Sequence, residues 1–207
     1  MSIALEIEWI PFLSLEEAGL IGSNFIVQWL AHEQTQVVNV SKLTYAGNLN
    51  NLLTLAGEPR HIFVRGDICD RERVINLLKT YRPVAIVHFA AETHVDRSIW
   101  NCDDFIRTNV QGILCLLEAA RQYLRNAPAS ENLRFGFLNI STDEVYGELR
   151  PGEPAFTEAT PYSPNSPYSA SKAAADHLVR AYHRIYEFRC MTTNCSNNYR
   201  PYSSPKN

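Results

Sequence analysis

Val84-Ala85-Ile86-Val87-His88-Phe89-Ala90-Ala91-Glu92-Thr93 decides the fold. A nearly continuous apolar run gives way to two small residues and then to polar ones. A strand with one wet face alternates apolar and polar residues, whereas an unalternating run reads as a strand buried on both faces of a parallel sheet. Residues 37–40, 61–64, 134–140 and 190–194 read the same way. Between these runs lie helical patterns over roughly 20–32, 70–81, 103–125 and 167–187. Such alternation predicts an α/β chain, a doubly wound parallel sheet with right-handed crossovers.

Ligands of such sheets sit beyond the carboxyl ends of the strands. Four polar clusters fall there: Asp67-Ile68, Ala90-Ala91-Glu92-Thr93, Ser141-Thr142-Asp143-Glu144 and Asn197-Asn198. Turn and helix-cap chemistry accounts for any one of them; four on one rim point to a site. Tyr168-Ser169-Ala170-Ser171-Lys172 opens the last helix after a turn-rich stretch. Its i,i+4 spacing puts a phenol and an ammonium on one helical face. The same spacing occurs on solvated faces, but a nearby lysine cation also favours the phenolate of a tyrosine that is to act as a base. The Pro- and Gly-rich residues 149–167 read as a long active-site loop.

The chain of 207 residues fits one domain or two small ones. Hydrophobic residues make up 45% and charged residues 20%, enough for a core and against disorder. A net charge of −3 argues against a nucleic-acid surface. No apolar run approaches a membrane span, and Glu6 and Glu8 stand where an export signal carries basic residues, so the expectation is a cytoplasmic protein. The five cysteines form no C-x-x-C pair and read as reduced thiols. His88 and His94 flank other residues without metal-ligand spacing; packing or substrate contact is favoured over zinc, and no metal site is expected.

Together, Lys42-Leu43-Thr44-Tyr45-Ala46-Gly47-Asn48, Ala90-Ala91-Glu92-Thr93-His94-Val95-Asp96-Arg97-Ser98, Ser141-Thr142-Asp143-Glu144-Val145-Tyr146-Gly147, Tyr168-Ser169-Ala170-Ser171-Lys172 and Thr192-Thr193-Asn194-Cys195-Ser196-Asn197-Asn198-Tyr199 closely resemble the dTDP-glucose 4,6-dehydratases. These enzymes belong to the extended short-chain dehydrogenase/reductases. The resemblance covers the chain from Ala18 almost to its end, and the Asp143-Glu144 pair is its specific part, since epimerases on this fold lack it. It implies a Rossmann-like NAD-binding domain over residues 18–207, preceded by an aberrant segment 1–17 in place of the first strand and loop start. The family's C-terminal substrate lobe would be missing.

The implied reaction dehydrates dTDP-glucose to dTDP-4-keto-6-deoxyglucose with tightly bound NAD. Tyr168 would take the proton of the 4-hydroxyl as hydride passes from C4 to NAD, while Lys172 lowers the tyrosine pKa and binds the nicotinamide ribose. Glu144 would remove the C5 proton and Asp143 would protonate the departing 6-hydroxyl before hydride returns to C6. Thr142 would hold the 4-oxygen, with Thr93 and Asn197 touching substrate. Gly19, Leu20, Ile21, Gly22, Ser41, Lys42, Leu43, Thr44, Asp67, Ile68, Phe89, Ala90, Ala91, Thr108 and Asn198 would line the NAD site with Tyr168 and Lys172. Helices 103–125 and 167–187 resemble those of the family's dimer interface, implying a homodimer.

Departures from the pattern keep two other readings open: an inactive fragment or pseudoenzyme of the same family, and a sugar-nucleotide epimerase. The family's G-x-x-G-x-x-G loop keeps Gly19 and Gly22 here, but Glu16 and Glu17 occupy its first glycine positions. Carboxylates repel a diphosphate and their side chains obstruct backbone approach. Ser41 replaces the acid that holds the adenine ribose, and Arg200 replaces a glycine. The run Phe12-Leu13-Ser14-Leu15-Glu16-Glu17 can be written in codons that, read one frame over, give Ile-Leu-Val-Thr-Gly-Gly. This points to a single-nucleotide frame change near Ala18, which the gene sequence on either side tests. Replacing both acids, Glu16→Gly with Glu17→Gly, is expected to raise NAD affinity in calorimetry; unchanged affinity would overturn this account of the loop.

Overall fold

The computed structural model describes residues 12–15, 20–43, 49–93, 98, 102–128, 134–196 and 198. In chain order these form β1 (Phe12–Leu15), α1 (Leu20–His32), β2 (Val37–Ser41), a 3-10 turn (Leu49–Leu55), β3 (His61–Arg65), α2 (Arg71–Tyr81) and β4 (Ala85–His88). A helical run, α3, follows: one α-turn at Asp103–Phe105, a π-helical stretch at Ile106–Gly112 and α-helix through Ile113–Arg125. β5 (Gly136–Thr142), a 3-10 turn (Asp143–Tyr146), α4 (Pro167–Tyr186) and β6 (Cys190–Cys195) complete it.

All six strands are parallel, in the order β3-β2-β1-β4-β5-β6. The expected doubly wound sheet is therefore present, with an apolar cluster on each face. On one side Leu13, Val38, Ile86 and Phe137 meet Leu78, Leu116 and Val179 of α2, α3 and α4. On the other, Val37 and Val87 meet Ile26 and Leu30 of α1 and Leu52 of the first 3-10 turn. Burial on both sides explains why the strands read as unbroken apolar runs.

Helix ends follow local chemistry. Asp70 caps α2 by accepting from the Arg73 amide at 3.1 Å, and Arg82, at φ 45°, closes the helix with its amide on the Leu78 carbonyl. α4 starts with a reciprocal capping box: Ser166 Oγ accepts from the Ser169 amide and Ser169 Oγ from the Ser166 amide, both at 3.0 Å, with Pro167 in the first turn. This fixes the register of Tyr168, one residue later. In α3, a Cβ on Gly112 would lie 2.5 Å from Ile68 Cδ1, so glycine lets the helix approach the residues after β3.

One strand was not expected from the apolar pattern. Phe12–Leu15 lies at the centre of the sheet, paired with Val37–Val40 on one side and Ala85–His88 on the other. Four residues with a serine inside make a weak strand signal, and the two neighbouring strands supply what the local sequence lacks. Ser14 is completely buried, and its hydroxyl has no hydrogen-bond partner among the described residues. A buried unpaired hydroxyl costs about 1–3 kcal/mol. Ser14→Ala, which removes it without adding volume, should raise stability in urea unfolding by about 1 kcal/mol; a loss of stability would show that the hydroxyl is partnered.

Candidate active site

The carboxyl ends of β4 and β5 and the start of α4 form one rim. β4 leads into Phe89, Ala90, Ala91, Glu92 and Thr93, of which Ala90, Ala91 and Glu92 are buried and Thr93 is exposed. Asn109 in the π-helical stretch locks this segment: its side-chain amide donates to the Glu92 carbonyl at 3.1 Å and its oxygen accepts from the Glu92 amide at 2.9 Å. The same amide donates to Ser171 Oγ at 2.8 Å, and Ser171 donates to the Tyr168 carbonyl at 2.6 Å. The β4 end, α3 and the first turn of α4 are thus tied together around a fully satisfied asparagine. π-helical stretches recur at functional sites.

β5 ends in Thr142, whose hydroxyl accepts from the Glu144 amide at 3.3 Å and so caps the turn Asp143–Tyr146. Asp143 is half-buried and Glu144 exposed. Gly147, at φ 95°, ends the turn; a Cβ there would lie 2.6 Å from the Ser163 carbonyl oxygen. The 149–167 loop can therefore pack on this turn only over a glycine. Tyr168 is buried, its ring edge-on to Phe105 of α3. Burial, then the charge of Glu144, push its phenol up to about 12, against a downward pull from the Thr142 hydroxyl.

Lys172 lies one turn further along α4, buried, and its Nζ donates to the Ile140 carbonyl of β5 at 2.6 Å. In this arrangement the phenol is raised and the Lys172 ammonium is held by a strand carbonyl. Burial brings Lys172 down to about 8, with the Asp176 carboxylate opposing. His88, at the end of β4, is fully buried and held at about 3 by burial and then by the Lys172 charge, so it stays neutral. Its ring centroid lies 6.4 Å from that of Phe137 on β5.

The residues expected to hold a dinucleotide sort into three groups. Around the β3 end, Asp67 bridges Lys42 at 2.9 Å and Arg107 at 3.6 Å and accepts from the Cys69 amide at 2.9 Å. Burial pushes its carboxyl up, but these donors and cations outweigh it and leave it below the usual range. Ile68 is buried nearby, and Thr108 lies half-buried on α3. Ser41, buried at the end of β2, accepts from the amide of Leu43, which sits at φ 55°. At the head of α1, Ile21 is exposed and Gly22 buried, with no acid in the first turn.

Gly19, Thr44 and Asn197 lie outside the described residues, as do Glu16, Glu17 and the side chain of Leu20. Asn198 is exposed, its side chain donating to the Ser196 carbonyl at 3.2 Å.

These residues fit a dinucleotide. The sheet order reverses between β1 and β4, which opens a crevice at their carboxyl ends. Small Ala90 and Ala91 border it, a helix follows β1, and an ionised Asp67 flanks one side. Only the residue types at Glu16 and Glu17 oppose a diphosphate. Asp176, Asn139, Asn194 and Tyr162 were not singled out as site residues from sequence, yet with Ser141 of the β5 cluster they form a buried polar network behind the rim. Asp176 could have been found, since it continues the i,i+4 stripe of Tyr168 and Lys172.

A family model described as GDP-mannose 4,6 dehydratase matches residues 17–206. The dTDP-glucose 4,6-dehydratase of Xanthomonas campestris pv. campestris (strain B100) is 56% identical over 190 residues, covering 91% of this chain and 53% of that protein. This chain therefore spans about half the length of that relative. The dTDP-glucose 4,6-dehydratase from Streptomyces venezuelae, solved with NAD and TYD bound, superposes with TM-score 0.84 at 42% identity, over 95% of this chain and 58% of that one. The UDP-glucose 4-epimerase of Thermus thermophilus, in complex with NAD, gives TM-score 0.80 at 31% identity with the same coverages, 95% and 58%.

The electrostatics of the rim can be checked without ligand. Because the Glu144 charge raises the Tyr168 phenol, Glu144→Gln should move that titration downward in 13Cζ-tyrosine NMR, with Tyr168→Phe assigning the resonance. An upward shift would contradict the placement of the two side chains.

Proposed function

Because this chain belongs to the GDP-mannose 4,6-dehydratase family, we propose that the protein dehydrates dTDP-glucose to dTDP-4-keto-6-deoxyglucose with NAD. The observation that carries the reading is the turn Thr142-Asp143-Glu144 standing against Tyr168, close enough that both carboxylates act on the phenol. The curated relative at 56% identity bears that enzyme's name. Bound NAD supplies a hydride acceptor and later a donor. Asp67, Ile68, Phe89, Ala90, Ala91, Thr108, Asn198 and the residues at the ends of β1 and β2 would hold it, with Tyr168 and Lys172 at its nicotinamide end.

This chain's own side chains then divide the proton work. Tyr168, once its own phenol proton has passed to solvent and the Lys172 ammonium has turned to the phenolate, takes the proton of the sugar 4-hydroxyl, oriented by the Thr142 hydroxyl. Glu144, exposed at the rim, takes the C5 proton, and half-buried Asp143 returns one to the leaving 6-hydroxyl. Different surroundings suit adjacent carboxyls to opposite roles. Thr93 and Asn197 contact the sugar nucleotide. The loop at Glu16 and Glu17 supports a second reading, a family member that keeps the fold and has lost NAD.

We infer also that the protein forms a homodimer through α3 and α4. Ile106 and Leu114 on α3 and Ile185 and Tyr186 on α4 are large apolar residues left exposed, and such surface marks contact sites. A cytoplasmic location suits its five free thiols. Among the described residues no helix is long and apolar enough to cross a membrane.

Incubation with dTDP-glucose and NAD should yield the 4-keto-6-deoxy sugar nucleotide, with Tyr168→Phe lowering the rate by about 10²–10⁴-fold. A 4-epimer would assign the protein to the epimerases, and a folded chain without NAD binding would support the inactive relative.

A further inference from the structure

The stripe on α4 that carries Tyr168 and Lys172 reaches one turn further to Asp176, a carboxylate that the dehydration does not use. It is 5% exposed and gathers donors from three elements. Asn139 Nδ2 of β5 donates at 2.8 Å, Ser141 Oγ of β5 at 2.7 Å and the Tyr162 hydroxyl of the preceding loop at 3.0 Å, with Asn194 Nδ2 of β6 at 3.4 Å. Asn194 is shared: it also reaches the Thr142 carbonyl at 3.4 Å and accepts from the Tyr146 hydroxyl at 3.3 Å. One buried carboxylate thus connects to both ends of the Thr142–Tyr146 turn.

We propose that Asp176 is a positioning residue: through Asn194 and Tyr162 it holds the Thr142–Glu144 turn against Tyr168, and its charge keeps the buried Lys172 an ammonium ion. Asp176 lies four residues from Lys172 on the same face of α4. Of the two groups that favour the charged lysine, it acts more strongly than Cys195 of β6. Burial raises the Asp176 carboxyl, with Ser141 and then Lys172 pulling it down. His88 of β4 is neutral, and Tyr162 and Tyr146 are raised by burial and then by nearby carboxylates, so none of these supplies the counter-charge. Asp143 and Glu144 of the turn act on Tyr168. The proposal rests on Tyr168 and Lys172 being site residues, but its test needs neither turnover nor dinucleotide. Its failure is therefore distinct from failure of the dehydratase reading.

The Lys172 titration is read by 13Cε-lysine NMR on the chain, with Lys172→Arg assigning the signal. Asp176→Asn keeps the shape and removes the charge; the Lys172 midpoint should fall by about one pH unit or more, with Asp176→Glu restoring it. An unchanged midpoint overturns the electrostatic role. Tyr162→Phe removes one donor and leaves the charge. It should leave the Lys172 midpoint in place while amide exchange at Glu144 and Gly147 accelerates about tenfold. Unchanged exchange overturns the positioning role, and this second variant decides it even if Asp176→Asn fails to fold.

Discussion

A parallel sheet brings every strand's carboxyl end to one rim, and in this chain the strand order reverses between β1 and β4. The chain leaves β1 towards β2 and β3, then returns to lay β4 on the other side of β1. α1, which follows β1, and α3, which follows β4, pack on opposite faces of the sheet, and a crevice at such a switch point needs no side chain to create it. Everything chemical follows from that rim. Thr142 is there because β5 ends there, and Asn109 is there because α3 must cross the sheet beside the β4 exit. Tyr168 is there because a capping box starts α4 at the end of the loop that packs on Gly147.

Five strands and four helical runs were legible from apolar patterning, since burial on both sheet faces leaves an unalternating signature. The candidate residues at the ends of β3, β4 and β5 were legible as rim residues for the same topological reason. β1 was not: Phe12-Leu13-Ser14-Leu15 becomes a strand through its two neighbours. The π-helical stretch was equally hidden, because widening a helix by part of a turn barely changes its apolar pattern. Asn109 and Gly112 make sense only once Glu92, Ser171 and Ile68 are seen around them.

Spacing also predicted proximity without direction. Tyr168 and Lys172 share a helical face, but a buried ammonium takes the nearest good acceptor, and the open carbonyl at Ile140 is that acceptor. Desolvation then dominates both groups, raising the phenol and lowering the amine. The resting arrangement places a protonated tyrosine beside two carboxylates and one turn from a lysine that burial has brought down to about 8. Such groups respond strongly to whatever neutralises a carboxylate or brings the ammonium round.

Two kinds of buried polarity coexist in this sheet, and they argue in opposite directions. Ser14 on β1 faces the α1 side, away from Lys172, with no partner among the described residues and no chemistry beside it. Lys172 and Asp176 lie on the opposite face, each hydrogen-bonded. Burying an ammonium and a carboxylate costs several kcal/mol per ion before attraction offsets it, and apolar replacements are often neutral or stabilising by about 1–4 kcal/mol. Stability alone therefore does not account for the pair. Two opposite buried charges one turn apart on the helix that carries the tyrosine, with Asp176 tied by shared hydrogen bonds to the turn that carries the carboxylates, suit a site. A buried, unpartnered serine at the centre of the sheet has no such use.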